Sequence, residues 1–418
     1  MNTTRAGSKG LIRDLNRSLV LNLIATEGPI SRIEVARRGG LTAATITNIV
    51  NDFIGAGLVF EASAEESSGG RPAILLRLKP TAGYVIGVKL REYKVVMVLC
   101  DLASTVIYQT ESDLAGTVQP YQVVETIAEA FDRCLRETHI SQQDVLGMGV
   151  GVSGLVDSQL GILRYSNFFD WRDVELGPAL EFKTRVPVII ENDVNMLALA
   201  ESHFGAGRSS PICLLVTIGH GVGMGLVING ELFRGAYGSA SEFGHMTMMD
   251  APDAPPCTCG KRGCLEALIS DYALAHAAFD TEPGYADEPM MQELVRRARL
   301  GEEASAAIFQ RAGTILGIAL ANLINLYDPA QILITGEGLR AGELLLEPAR
   351  ATIPQHIFGK PRPEVPLVIL SSSNESWARG AASVFLREVF RPPIYETGKT
   401  LPIDTLLQRA RGRTAAKR

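Results

Sequence analysis

"ICLLVTIGHGVGMGLVINGELFRG", residues 212–235, sets short apolar, β-branched runs around a glycine-rich turn. Runs of this kind, bounded by glycine, read as strands. Downstream, "FQRAGTILGIALANLINLYDP" (309–329) has the apolar period of a long helix, "QILITGEGL" (331–339) reads as a strand and turn, and "PLVILS" (366–371) as a late strand. Upstream the same flavour occurs once before. Three β-rich runs fall at 84–90, 94–100 and 104–110, an apolar-periodic helix spans about 120–137, and "DVLGMGVGVSGLVD" (144–157) supplies a buried strand. The chain therefore carries two related α/β halves, and a cleft between such halves is the expected place for a small ligand.

Length and composition bound the rest. At 418 residues the chain exceeds one ordinary domain, so two or three packed units are expected. Charged residues make up 21% and hydrophobic ones 46%, and no run of about 18 apolar residues stands ready to span a bilayer. The opening "MNTTRAGSKGLIRDLNRSL" lacks the apolar core and cleavage site of a secretory signal. A cytoplasmic, bacterial protein without membrane insertion is the expectation. Cys100, Cys134 and Cys213 are isolated in apolar surroundings and read as buried thiols, not a disulfide framework. Residues 1–80 carry ten Lys and Arg against seven Asp and Glu, a net +3 that leaves −9 for the remainder. A basic head on an acidic body hints at nucleic acid at that end.

Within the head, Leu19, Val20, Leu23 and Ile24 recur at helical spacing up to Gly28-Pro29. Ser31 with Glu34 forms a capping-box pattern that opens a short second helix, ended by Gly39-Gly40. Thr42 then precedes a third run, Ile46, Ile49, Val50, Phe53 and Ile54, which stops at Gly55 or Gly57. Three helices with a tight turn before the last are the arrangement of a helix-turn-helix, whose final helix enters the major groove. Thr42, Thr45, Thr47 and Asn48 are its polar groups able to reach phosphates or bases. Residues 58–80 follow as two β-prone runs around a Ser/Gly-rich tip, a wing with Arg71 placed for a minor groove. A trihelical packing module with an ordinary hairpin is the plain alternative.

Cys257, Cys259 and Cys264, with His245 twelve residues before the first, offer three thiolates and one imidazole. That is a closed tetrahedral set for a structural Zn²⁺, leaving no position for a reactive water. An iron-sulfur site or a bare thiol cluster are the other readings. Lys261 and Arg262 would offset the negative charge of the thiolates.

The body resembles the ROK family, named for repressors, open reading frames and kinases. The resemblance covers nearly all of residues 10–390 and rests on "IIENDVN" (189–195), "TIGHGVGMGLVINGELFRGAYGSASEFGHM" (217–246), "CTCGKRGCLEA" (257–267) and "ITGEGL" (334–339). It implies an α/β fold: an N-terminal winged helix-turn-helix, then two actin-like, hexokinase-type (ribonuclease H-like) lobes with a structural zinc site. The expected division is 1–80 for the DNA-binding head, 81–200 for the first lobe, 201–390 for the second lobe with the zinc loop and dimerisation surface, and 391–418 for a basic tail. The family also places zinc on the residues matching His245, Cys257, Cys259 and Cys264, and sugar hydroxyls against those matching Asn192, Asp193, Glu242, His245 and Glu266.

Kinases of the family use a residue matching Asp193 to take the proton of the attacking sugar hydroxyl, and a first hairpin of the type Asp-x-Gly-Gly-Thr to hold the nucleotide's phosphates. Here "VKLREYK" (88–94) stands in that place, with Lys89 for the aspartate, Arg91 and Glu92 for the glycines, and Tyr93 for the threonine. In "TIGHGVG" (217–223), His220 replaces a small hydroxyl residue. Bulky side chains fill the space a phosphate needs, so the expectation is no enzyme and no catalytic residue. The resemblance then implies a transcriptional regulator, a repressor of sugar-utilisation genes. Its expected partners are operator DNA, a sugar or sugar-phosphate effector, and a second copy of itself in a homodimer or tetramer. A sugar kinase or bifunctional kinase-repressor is the alternative, and a body docking a membrane sugar transporter ranks third. The stretch 391–418, with seven basic and two acidic residues, reads as a solvated tail.

Overall fold

The computed structural model describes residues 9–63, 74–115, 118–208, 210–282, 284–359, 364–390, 406–408 and 410–411. The chain divides into two compact units, Met1–Met196 with Asn374–Arg418, and Leu197–Ser373.

The first unit begins with helix α1 (Lys9–Glu27), a short strand β1 (Ile30–Ser31), helices α2 (Arg32–Gly39) and α3 (Ala43–Ala56), and strands β2 (Val59–Ser63) and β3 (Ile74–Leu78). Local chemistry sets each boundary. The Ser31 hydroxyl accepts from the Glu34 amide and the Thr42 hydroxyl from the Thr45 amide, while Gly40 and Gly57 close α2 and α3 at φ 61° and 76°. Only half of the expected capping box forms, because the Glu34 carboxylate turns to the Arg37 and Arg38 guanidinium groups at 2.8 and 2.6 Å. Leu21, Ile24, Val35, Ile46, Val50 and Phe53 form the buried face of the three helices. The wing is the antiparallel sheet β1-β3-β2; its tip, with Arg71, lies outside the described residues.

Next come β4 (Tyr84–Leu90), β5 (Lys94–Asp101), β6 (Val106–Asp113), α4 (Pro120–Thr138) and β7 (Val145–Val152). A small antiparallel sheet of β8 (Leu155–Asp157), β9 (Ile162–Ser166) and β10 (Trp171–Val174) precedes α5 (Leu176–Thr184), β11 (Val188–Asn192) and α6 (Asp193–Phe204), whose residues from Leu197 onward belong to the second unit. The main sheet has the order β11-β7-β4-β5-β6, with β4-β5-β6 antiparallel and β4, β7 and β11 parallel.

The second unit holds β12 (Ile212–Ile218), β13 (Val222–Ile228), β14 (Glu231–Leu232), α7 (Glu266–Ile269), α8 (Asp271–Phe279), α9 (Glu288–Arg299), α10 (Glu303–Tyr327), β15 (Ile332–Thr335), α11 (Glu343–His356) and β16 (Leu367–Ile369). Its sheet runs β14-β13-β12-β15-β16. Numbered within each sheet, both five-stranded sheets have the order 3-2-1-4-5, and the repeat is the duplication expected from the two sequence halves. Helix α10 is long and apolar enough to cross a membrane by length and composition, but Phe309, Leu316, Leu320 and Ile324 belong to the buried core of this unit.

Two expectations are corrected. The second lobe does not extend to residue 390: α12 (Asn374–Phe390) packs on β4, β5 and β7 of the first unit. The reason is steric. Ile86, Val88 and Leu90 face the α4 side of the sheet, so the alternate residues face the other side. There, a Cβ on Gly87 would lie 1.9 Å from the Ala378 carbonyl oxygen, and one on Gly149 2.0 Å from that of Ala381. Glycine lets the helix lie directly on the strands. The tail is also not solvated throughout, since residues 406–408 and 410–411 are helical with Leu406, Leu407 and Ala410 buried. Cys100, Cys134 and Cys213 are buried thiols as expected, and burial pushes each up to about 12.

Candidate metal centre, effector residues and nucleic-acid interface

In the second unit, isolated bridges from Thr247 to Cys264 and from Pro256 to Arg262 fold the cysteine loop back on itself. The Cys257 amide donates to the Lys261 carbonyl at 2.8 Å and the Gly260 amide to the Cys257 carbonyl at 3.0 Å. This brings one nitrogen of His245 and the sulfurs of Cys257, Cys259 and Cys264 within 4.8 Å of one another. His245 Nδ1 is 3.6 Å from Cys257 Sγ, and Cys259 Sγ is 3.8 Å from Cys264 Sγ. A tetrahedral zinc, with Zn–S about 2.3 Å and Zn–N about 2.0 Å, sets S···S and S···N edges of about 3.8 and 3.5 Å. These two edges match that geometry, and the four residues are gathered closely enough to hold such an ion. Lys261 Nζ donates to the His245 carbonyl at 2.7 Å, which ties the cysteine loop to the backbone of the histidine ligand.

Glu266, two residues past the last cysteine, is buried, and both of its oxygens are engaged. Oε2 accepts from the Val222 amide at 3.1 Å; Oε1 accepts from Thr258 Oγ1 at 3.0 Å and Tyr272 OH at 3.4 Å. The carboxylate thus ties the cysteine loop to the start of β13. A Cβ on Gly221 would lie 2.9 Å from Oε2, so the glycine in "TIGHGVG" makes room for this carboxylate. Glu242 precedes a 3₁₀ turn, Phe243–His245, which sets it one turn from His245. Glu242 keeps an exposed face, yet the protein around its carboxyl raises that group from its ordinary value, with the Glu266 charge adding and His245 opposing.

In the first unit, Asn192 ends β11 and caps α6: its Oδ1 accepts from the Val194 and Asn195 amides at 3.0 and 3.2 Å, and its Nδ2 donates to the Gly154 carbonyl at 3.2 Å. Asp193 is the first residue of the helix. Its Oδ1 accepts from the Val194 amide at 2.9 Å, and its Oδ2 is hydrogen-bonded by Lys89 Nζ. The Lys89 and Asp193 side chains are each only 11% exposed, and Lys89 Nζ also lies 4.8 Å from the centroid of the Trp377 ring on α12. Sequence reading placed Lys89 at the first hairpin but did not connect it to Asp193 or Trp377. A lysine two residues from Gly87, on the strand face that α12 covers, was the available signal. Beyond β4, Arg91 hydrogen-bonds Asn374, whose Nδ2 donates to Glu111 Oε1 at 2.9 Å, so the hairpin is tied to the start of α12.

On the head, Thr42 and Thr45 share a 2.9 Å hydroxyl contact, and Thr45 is half-buried. Thr47 is exposed, although its hydroxyl donates to the Ala43 carbonyl at 2.8 Å, and Asn48 is exposed on the same helix. Arg32, Arg37 and Arg38 on α2 went unremarked in the sequence reading. Arg32 reaches from α2 to Glu61 on β2 at 2.8 Å and to Asn51 on α3 at 3.1 Å. The nearness of Arg32 to α3 is a product of the turn, not of any pattern within α2.

Residues 85–388 match a model of the ROK family. The xylose repressor of Bacillus subtilis strain 168 is 28% identical over 375 residues, 90% of this chain and 96% of that protein. The DNA-binding transcriptional dual regulator NagC of Escherichia coli K12 is 30% identical over 371 residues, 87% of this chain and 90% of that protein. Among solved structures, a ROK family transcriptional regulator homologous to the E. coli MLC protein superposes with a TM-score of 0.79 at 26% identity, covering 95% of this chain and all of that one. A ROK family glucokinase from Streptomyces griseus, solved with glucose and AMPPNP, gives 0.60 at 27% identity, covering 72% of this chain and 99% of that one.

Proposed function

The chain belongs to the ROK family, and from that premise we propose that it is a sequence-specific DNA-binding regulator, a repressor of carbohydrate-utilisation genes whose operator affinity responds to a sugar or sugar phosphate. One observation carries this reading: α3, capped by Thr42, turns Ala43, Ala44, Thr47 and Asn48 to solvent, a small-residue face suited to a major groove, ahead of a sugar-family body. Paired heads would read two half-sites, so the working unit is a homodimer, or a tetramer of such dimers. Asn192 and Asp193 in the first unit, and Glu242, His245 and Glu266 in the second, are the effector contacts; their amide, imidazole and carboxylate groups suit vicinal hydroxyls. Zinc on His245, Cys257, Cys259 and Cys264 supplies a fixed divalent charge that holds the loop from which Glu266 departs. Relatives named as bacterial DNA-binding regulators and repressors support a cytoplasmic place.

A second reading, a sugar kinase, is favoured by Asp193 standing at the start of α6. Against it, Lys89 is hydrogen-bonded to Oδ2 of the carboxylate that would act as base, and so occupies an oxygen that would take the hydroxyl proton. The deciding experiment selects a duplex from a random-sequence pool with full-length protein, then screens sugars and sugar phosphates by thermal shift with and without that duplex. The regulator reading expects a selected sequence and a sugar that changes its affinity. Hexose-dependent ADP formation at an ordinary kinase turnover, with no selected sequence, would replace it with the kinase.

A further inference from the structure

We propose that Lys89 passes sugar occupancy at Asp193 to α12, and through α12 to the DNA-binding head. This rests on the regulator reading above, with Asp193 as an effector contact. Three features of the first unit converge on it. Asp193 Oδ1 accepts from the Val194 amide and Oδ2 from Lys89 Nζ, so a sugar hydroxyl that donates to Oδ2 does so in competition with Lys89. The same ammonium sits over the Trp377 ring, in the first turn of α12. Helix α12 in turn packs against α1 of the head as well as against β4, β5 and β7.

The physical step is a competition. In the sugar-free protein, Lys89 divides its charge between Asp193 and the Trp377 face. A hydroxyl donating to Oδ2 weakens the ion pair, and an ammonium that loses carboxylate character gains from the ring, because the ring quadrupole then competes with less. The sugar-bound and sugar-free states thus differ in the contact that Lys89 makes with α12, and a ligand shifts an equilibrium only through such a difference. Lys89 is in this account a positioning residue, which touches Asp193 and not the bound sugar.

The test uses full-length protein, the duplex recovered by selection, and D-xylose, D-glucose, N-acetylglucosamine and the 6-phosphates of the last two as probes. For wild type, the active probe changes operator Kd by about tenfold or more, within the usual range of allosteric coupling. Trp377→Leu removes the aromatic arm and leaves the Lys89–Asp193 pair. It is expected to bind the probe and the duplex separately, but the two Kd values for duplex, with and without probe, should fall within about twofold of each other. Lys89→Met should do the same, and if it fails to fold, Trp377→Leu decides. A second readout is optical. The chain has two tryptophans, so a Trp171→Phe background isolates Trp377, whose emission should change with the probe in the Lys89 protein and stay flat with Met at that position. Wild-type coupling retained in Trp377→Leu overturns the proposal. A wild type that binds duplex but no probe overturns the sugar-responsive reading itself, and this inference with it.

Discussion

Gly221 and Glu266, 45 residues apart in number, approach so closely that a Cβ on the glycine would stand 2.9 Å from the carboxylate Oε2. The glycine-rich turn after β12 is therefore shaped by a carboxylate that also accepts from Val222, Thr258 and Tyr272. Gly221→Ala should push Glu266 off the Val222 amide and cost roughly 1–3 kcal/mol. Denaturant unfolding checks it, and pairing the change with Glu266→Asp, which withdraws the carboxylate, should cost less than the sum of the two.

The metal centre makes a prediction that does not depend on activity. Purified protein should hold one zinc per chain by elemental analysis, and Cys264→Ser, which removes the fully buried ligand, should lose it. Because structural zinc affinity is folding energy, worth about 10–16 kcal/mol in small zinc peptides, a strong chelator should lower the melting temperature of wild type and leave the variant unmoved.

On the head, Asn48→Ala should weaken binding to the selected duplex by roughly 1–3 kcal/mol while binding to random duplex is unchanged. Arg37→Ala at the end of α2 should instead weaken both, and reduce the slope of log affinity against log salt by about 1. Filter binding across a salt series separates the two behaviours.

Arg340 joins Asp271 on α8 at 2.8 Å and Glu288 on α9 at 2.8 Å. Burial raises the Asp271 carboxyl from its ordinary value, with Arg340 opposing. Arg340→Leu leaves that carboxylate without its cation and should destabilise by about 3–5 kcal/mol at neutral pH. The sign of the pH dependence follows. A carboxyl raised in the folded state contributes most below its unfolded pKa and loses that contribution as pH rises through the folded value. Removing Arg340 raises it further, so the deficit should be small at about pH 5 and full at about pH 8, measured by urea unfolding.

Much of this molecule was legible from neighbouring residues alone. Ser31, Thr42 and Gly57 mark helix ends because a cap is a bond between residues three or four apart. The strand runs and their recurrence in two halves followed from apolar periodicity, while the 3-2-1-4-5 order of each sheet came only with the pairing of the strands. His245 with Cys257, Cys259 and Cys264 was visible because a tight loop keeps ligands close in number as well as in space.

Tertiary structure alone decided three things. Helix α12 follows the second unit in sequence yet covers the first unit's sheet, because Gly87 and Gly149 open a seat there. Glu266 is a brace between the cysteine loop and β13, a role set by donors from three separate segments. Lys89 meets Asp193 across 104 residues and Trp377 on a helix from the far end of the chain. Periodicity records which face of an element is covered, but not by what; the identity of the cover is fixed only when distant segments compete to pack there.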